Sequence, residues 1–228
     1  MGEKAWPVRG TIIWERCRFM VIYEYALVES VRDFDKNHIF FYHQIKLFIL
    51  MSALSILVFV LPLPLAFVLH DAEEIAVQGR WIRTHGAELS RRFPKFEPMI
   101  ARLGALGTRG FAIAAAEELA VLLAVTAYVL VGGTWAAEAW GAVFLAFSLH
   151  LIVHAVQATM VRGYVPGLAT SLLLLPYAAF GVWSMSLVWS VPKILALAAA
   201  GSLAVAANLR LAHSLGLLLA RGKGENAA

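Results

Sequence analysis

Apolar residues in this chain run in long unbroken blocks, not in the alternating or one-faced patterns of a soluble fold. Five blocks, residues 45–69, 111–131, 139–161, 167–191 and 194–219, each supply about 20 or more mostly apolar positions. About 20 residues at a rise of 1.5 Å cross a hydrocarbon core about 30 Å thick. The pattern predicts an all-α membrane protein: a bundle of about five transmembrane helices with an interfacial amphipathic segment. The expected spans are about 45–74, 110–131, 139–161, 167–191 and 194–219, within a transmembrane domain of residues 45–220. Residues 221–228 are a C-terminal tail. An outer-membrane barrel is excluded, because its short strands alternate polar and apolar residues and these blocks do not.

Two segments break the pattern. Residues 1–44 mix aromatics with Glu15, Arg16, Arg18 and Glu24 and then turn polar at Arg32–Lys36. With no continuous apolar core and no small-residue cleavage site, this is not a signal peptide. It reads as an interfacial or irregular extension, or as an over-extended start, since Met51 lies six residues into the first apolar block. Residues 75–109 carry Arg80, Arg83, Arg91, Arg92, Lys95, Arg102 and Arg109, interleaved with Trp81, Ile82, Leu89, Phe93 and Phe96. That composition suits a helix lying on lipid headgroups. Positive charge marks the cytoplasmic side, so this stretch, Arg162 and the tail with Arg221 and Lys223 are expected inside. The uncharged-to-acidic turn at 132–138 is expected outside; Lys193 and the basic residues before Ile45 dissent.

Composition sharpens this picture. Hydrophobic residues make up 61% of the 228 positions and charged residues 15%, against about half and a quarter in soluble domains. One cysteine, Cys17, excludes a disulfide framework and a multi-cysteine zinc site. The net charge of +4 fits lipid headgroups, and nothing resembles a nucleic-acid module. The expected partners are the lipid bilayer and a lipid or apolar small-molecule substrate, with no nucleic acid. The expected location is the cell (inner) membrane, crossed several times.

Against this apolar background, ionisable residues are costly: about 2.5–3.5 kcal/mol for an Asp, Lys or Arg at a span centre on insertion scales. His70, Glu73, Glu74, Glu117, Glu118, His150, His154 and His213 nonetheless lie in or at the edges of the spans. Glu118 is nine residues beyond Arg109, His154 eight before Arg162, His213 eight before Arg221 and His70 ten before Arg80. At 1.5 Å per residue, all fall about 12–15 Å from a cationic boundary, in one layer. His70, Glu73 and Glu74 share an i, i+3, i+4 spacing, and His150 and His154 an i, i+4 spacing able to grip one ion. Glu117 and Glu118 are about 100° apart on a helix, so one is favoured as ligand, Glu118.

Imidazole with carboxylate suits zinc, iron or manganese, and thiolate-selective sites lack their ligand. The expected metal ligands are His70, Glu73, Glu74, Glu118, His150, His154 and His213, with Glu74 and Glu117 as the catalytic carboxylates. They would hold one or two divalent ions, zinc or iron first. Blander alternatives exist for each: solvated acids at a helix end, interhelical hydrogen bonds between the histidines, and a bridge from Glu117 or Glu118 to Arg210. Tyr164-Val165-Pro166-Gly167 reads as a turn, with Pro fixing φ, Gly allowing positive φ, and Thr170 bonding within the next helix.

His70-Asp71-Ala72-Glu73-Glu74, followed by Glu117-Glu118, His150-x-x-x-His154 and the Tyr-x-Pro-Gly turn with Thr170, resembles the HXXEE-motif family of small bacterial membrane proteins. The resemblance covers roughly residues 50–220 and leaves out the first 44. It implies a membrane-bound metalloprotein, with His70, Glu73 and Glu74 matching the naming motif, and identifies no substrate. Two functions remain open: a metal-dependent enzyme (hydrolase, transferase or di-iron oxidoreductase) on a lipid or apolar substrate, or a metal-ion or proton transporter. A conduit needs polar residues through the full thickness, and often repeated halves. The outer halves of these spans are apolar, which favours the enzyme.

Overall fold

Prolines open or close most of the elements. The computed structural model describes residues 56–221, which hold five long helices and no strand. A short π-helical turn, Ile56–Val60, leads into α1 (Pro62–Arg92), whose first turn carries Pro62 and Pro64. Proline is tolerated there because the first helical N–H groups have no partner anyway. Pro94 stands two residues past the end of α1 and disfavours helix at Phe93, and Arg91 and Arg92 favour the negative pole of its dipole. A 3-10 turn, Pro94–Phe96, leads into α2 (Glu97–Leu130). Three helices follow: α3 (Ala136–Val161), α4 (Leu168–Ser186) and α5 (Val191–Arg221).

Among the described residues, four segments are long and apolar enough to cross a membrane: Pro94–Leu130, Ala136–Val161, Leu168–Ser186 and Val191–Leu219. The first expected span begins at Ile45, and residues 45–55 lie outside the described residues, as does the extension at 1–44. The basic stretch at 75–109 is not a separate surface helix. It forms the second half of α1, the 3-10 turn and the start of α2, which kinks at Gly107 (φ 62°, ψ 176°). Ile82, Leu89 and Ile100 pack together inside this hairpin, with Trp81, Phe93 and Leu103 against them. Of the apolar residues interleaved with the arginines, Trp81, Ile82, Leu89 and Phe93 therefore face into the hairpin, whereas Phe96 is exposed.

Around the bundle the order is α1, α2, α5, α3, α4, with α4 returning to touch α1. Two crossings are set by small residues. A methyl group on Gly216 of α5 would strike the carbonyl of Gly110 on α2, and one on Gly201 would strike Ala142 on α3. Such close approach is how helices gain packing in lipid, where burial of apolar surface supplies no drive. The main core gathers Leu63, Trp140, Phe144, Leu151 and Met185, with the Trp140 and Phe144 rings stacked at 4.9 Å. This core fixes α1, α3 and α4 against one another, and those three elements carry the site.

Candidate metal centre

His70 and Glu74 stand one turn apart on α1, and His150 and His154 one turn apart on α3. The two stripes face each other. Nε2 of His70 lies 3.1 Å from Nε2 of His150 and 3.3 Å from Nε2 of His154, and the latter two are 2.9 Å apart. Glu74 Oε1 is 3.5 Å from His154 Nε2. One ligand atom from each of the four residues lies within 4.8 Å of the others. His70 is fully buried and His154 nearly so.

Hydrogen bonding alone does not satisfy this triangle. Nδ1 of His70 faces the Thr170 hydroxyl at 3.0 Å, and that hydroxyl gives its own proton to Glu73 Oε2 at 2.6 Å. The Thr170 oxygen therefore accepts from His70, which puts the His70 proton on Nδ1 and leaves Nε2 as a bare lone pair. Nδ1 of His154 is buried with no hydrogen-bond partner. Each of the three Nε2 atoms carries either a proton or a lone pair, and a hydrogen bond needs one of each. With three nitrogens in mutual contact, at least one contact must pair like with like, at about 3 Å and beside a carboxylate.

A cation removes the conflict. Tetrahedral Zn–N bonds of about 2.0–2.1 Å put ligand nitrogens about 3.3 Å apart, close to the spacing here. Three imidazoles and a carboxylate, with no thiolate, also match the donor set that zinc and iron prefer. Glu74 stands where it can bind such an ion directly or through one water. The residues present fit a single divalent ion.

Glu73 departs from the expected ligand role. Adjacent helical positions diverge by about 100°, so Glu73 cannot share the direction of Glu74. Its carboxylate points to the N-terminus of α4, where Oε1 accepts from the Tyr164 hydroxyl (2.5 Å) and the Ala169 N–H (3.2 Å). Oε2 accepts from the Thr170 N–H (2.7 Å) and hydroxyl. The first N–H groups of a helix lack partners and carry partial positive charge, so a carboxylate there is stabilised. α4 has no side-chain cap of its own, and a residue of α1 supplies it. The Tyr164 hydroxyl is pushed up to about 12, by partial burial first and then by Glu73, so it remains the donor.

Other expected ligands lie elsewhere. Glu118 belongs to α2 and is outside the four-residue group; its carboxylate lies within electrostatic reach of Asp71 and Glu74. Glu117, also outside that group, accepts a hydrogen bond from Asn208 of α5 at 3.0 Å, a partner other than Arg210. His213 packs against Phe111 at 6.2 Å between ring centroids and faces the charge of Arg102, not the other histidines.

The Tyr-x-Pro-Gly turn has more to do than reverse the chain. Gly167 has φ +81°, and a Cβ there would sit 2.9 Å from Cε1 of both His70 and His154. The turn lies directly on the two imidazoles, with only a hydrogen where any other residue has carbon. Trp81 Nε1 donates to the Tyr164 carbonyl at 3.0 Å, and Arg92 donates to the carbonyls of Met160 and Val161, so α1 clasps the end of α3. Tyr164 also lines a cleft of about 270 Å³ with Trp81, His85, Glu88, Arg92 and Arg162. In the sequence, Gly167 and Thr170 stand 13 and 16 residues beyond His154, in the turn and first helical turn that follow the paired histidines.

Neither a curated protein nor a solved structure matches the chain. Residues 61–181 match the family described as proteins of unknown function with an HXXEE motif, and that segment contains every residue of the His–Glu group and its Tyr164–Glu73–Thr170 support. The match spans just over half of the 228 residues, and the chain belongs to this family.

Proposed function

We propose that the chain is a membrane-embedded metalloenzyme with a mononuclear centre, acting on a lipid or other apolar substrate at the depth of the cytoplasmic leaflet of the cell membrane. The observation that carries this reading is the triangle of three Nε2 atoms, 2.9–3.3 Å apart, beside the Glu74 carboxylate. Three protein nitrogens with a further position left for water or substrate is the ligand count of catalytic, not structural, zinc. His70, His150 and His154 hold the ion, and zinc or iron is the expected occupant. When bound, it supplies Lewis acidity, polarising a carbonyl or phosphoryl oxygen or acidifying a water. Glu74 takes up the proton released in the reaction, within reach of His154 and inside the apolar bundle. The histidines and Glu74 sit among spans, so an apolar substrate can approach from the bilayer.

The test uses purified, zinc-loaded protein reconstituted in vesicles of phosphatidylethanolamine and phosphatidylglycerol. Lipid products are resolved by mass spectrometry, and zinc uptake into the same vesicles is followed in parallel. Lipid conversion that Glu74→Gln removes without loss of the bound ion supports the enzyme. Zinc flux with no conversion overturns it in favour of the transporter.

A further inference from the structure

We propose that Glu73 and Thr170 are positioning residues that fix which nitrogen of His70 bears the proton, a role that presupposes the metal centre proposed above but has a readout of its own. The family motif contributes two glutamates, and their geometry divides the work between them. Glu74 turns toward the imidazoles, whereas Glu73 turns away and engages Thr170.

The direction of each bond follows from the available donors and acceptors. The Thr170 hydroxyl has one proton and two acceptors near it, Glu73 Oε2 at 2.6 Å and the Gly167 carbonyl at 3.3 Å. The charged and closer oxygen wins, since charge-assisted hydrogen bonds are shorter and about twice as strong. Either choice sends the proton away from His70. The Thr170 oxygen then offers a lone pair to His70 Nδ1 at 3.0 Å, and Nδ1 must be the donor. Nε2 is left unprotonated and aimed at His150 and His154. Reversal of the Thr170 hydroxyl would place the proton on Nε2 and block coordination. The Glu73 carboxylate prevents that reversal, because it has no proton to give and already accepts four hydrogen bonds from Tyr164, Ala169 and Thr170.

Partners of this kind, which orient a metal-ligating histidine through its other nitrogen, cost about 10–100-fold in metal affinity when removed. Glu73→Gln and Thr170→Val are each expected to lose that much. A glutamine can set its one oxygen against only one of the two donor pairs. Thr170→Ser keeps the hydroxyl and should bind as wild type. Because Glu73 acts through Thr170, the two losses should not add: the double variant Glu73→Gln/Thr170→Val should bind no more weakly than the weaker single variant.

The experiment has two arms on detergent-purified full-length protein. Cobalt(II) titration, followed by its visible absorption, gives affinity for wild type and the four variants. Selective ¹⁵N-histidine NMR of the metal-free protein, with seven histidines to assign, reports which His70 nitrogen is protonated. A protonated Nδ1 in wild type and Thr170→Ser, a mixture of forms in Thr170→Val, and non-additive losses support the proposal. Unchanged affinity and unchanged His70 signals in Thr170→Val overturn it. Wild type that binds no cobalt yet shows a protonated Nδ1 overturns the metal centre while leaving the hydrogen-bond direction standing, so the two failures are distinguishable.

Discussion

Replacing Gly167 by alanine adds one carbon atom at the point where the α3–α4 turn meets the imidazoles. Two costs follow. The left-handed conformation at φ +81° costs a residue with a Cβ about 1–2 kcal/mol. The new Cβ also meets Cε1 of His70 and of His154 at 2.9 Å, where carbon atoms ordinarily sit about 3.5–4.0 Å apart. Overpacking of this kind costs about 1–3 kcal/mol. The sum is about 2–5 kcal/mol, and each 1.4 kcal/mol is about tenfold in an equilibrium constant. If the rings give way, the metal centre bears the loss and zinc affinity falls by more than about tenfold; if the turn gives way, stability bears it. Zinc competition titration and thermal unfolding in detergent measure both. Two other glycines separate the causes. Gly163→Ala meets nothing within 4 Å and should change neither quantity. Gly107→Ala pays for its positive φ, +62°, with nothing within 4 Å, and should lower stability alone. Gly167→Ala that matches Gly163→Ala in both affinity and stability would refute the reasoning that seats the turn on the histidines.

Glu74→Gln should keep the ion, with the three imidazoles intact, yet lower turnover on the proposed substrate by about 10²-fold or more, measured in the vesicle assay. Glu117→Gln and His213→Ala should leave zinc stoichiometry unchanged in elemental analysis, because the first side chain is held by Asn208 and the second lies against Phe111. Acidification should release the ion, because histidine ligates as neutral imidazole and protons compete with the metal for the same nitrogens; equilibrium dialysis at successively lower pH follows the release. Trp140→Ala, at a position 1% exposed and stacked on Phe144, should destabilise the bundle by about 3 kcal/mol or more in thermal or denaturant unfolding.

Helices were legible because continuous apolar blocks leave little choice of element, and α3 and α5 extend only a few residues past their expected spans. The meeting of His70, Glu74, His150 and His154 was legible because two i, i+4 pairs on apolar helices have one economical arrangement, a shared interior. Glu118 and His213 show the limit of that argument. A common depth sets position along the membrane normal and says nothing of which way each helix is turned, and His213 is turned toward Phe111. Glu73 shows a second limit. Its i, i+3 spacing from His70 looks like part of one face, yet about 100° separates it from Glu74, and the N-terminus of α4 supplies better partners than an already crowded triangle. That competitor is a backbone feature 96 residues away, beyond the reach of spacing rules. The hairpin of α1 and α2 was hidden for a related reason: cations interleaved with aromatics fit a flat interfacial helix and a folded-back pair equally, until Ile82, Leu89 and Ile100 are seen to pack together.

The metal content of the purified, full-length protein tests the central claim most directly. After zinc loading and exhaustive dialysis, elemental analysis should find about one ion per chain in wild type and none in the His150→Ala/His154→Ala double variant. Folded wild type that stays free of zinc, iron and manganese, and takes up none when they are supplied, would contradict the account.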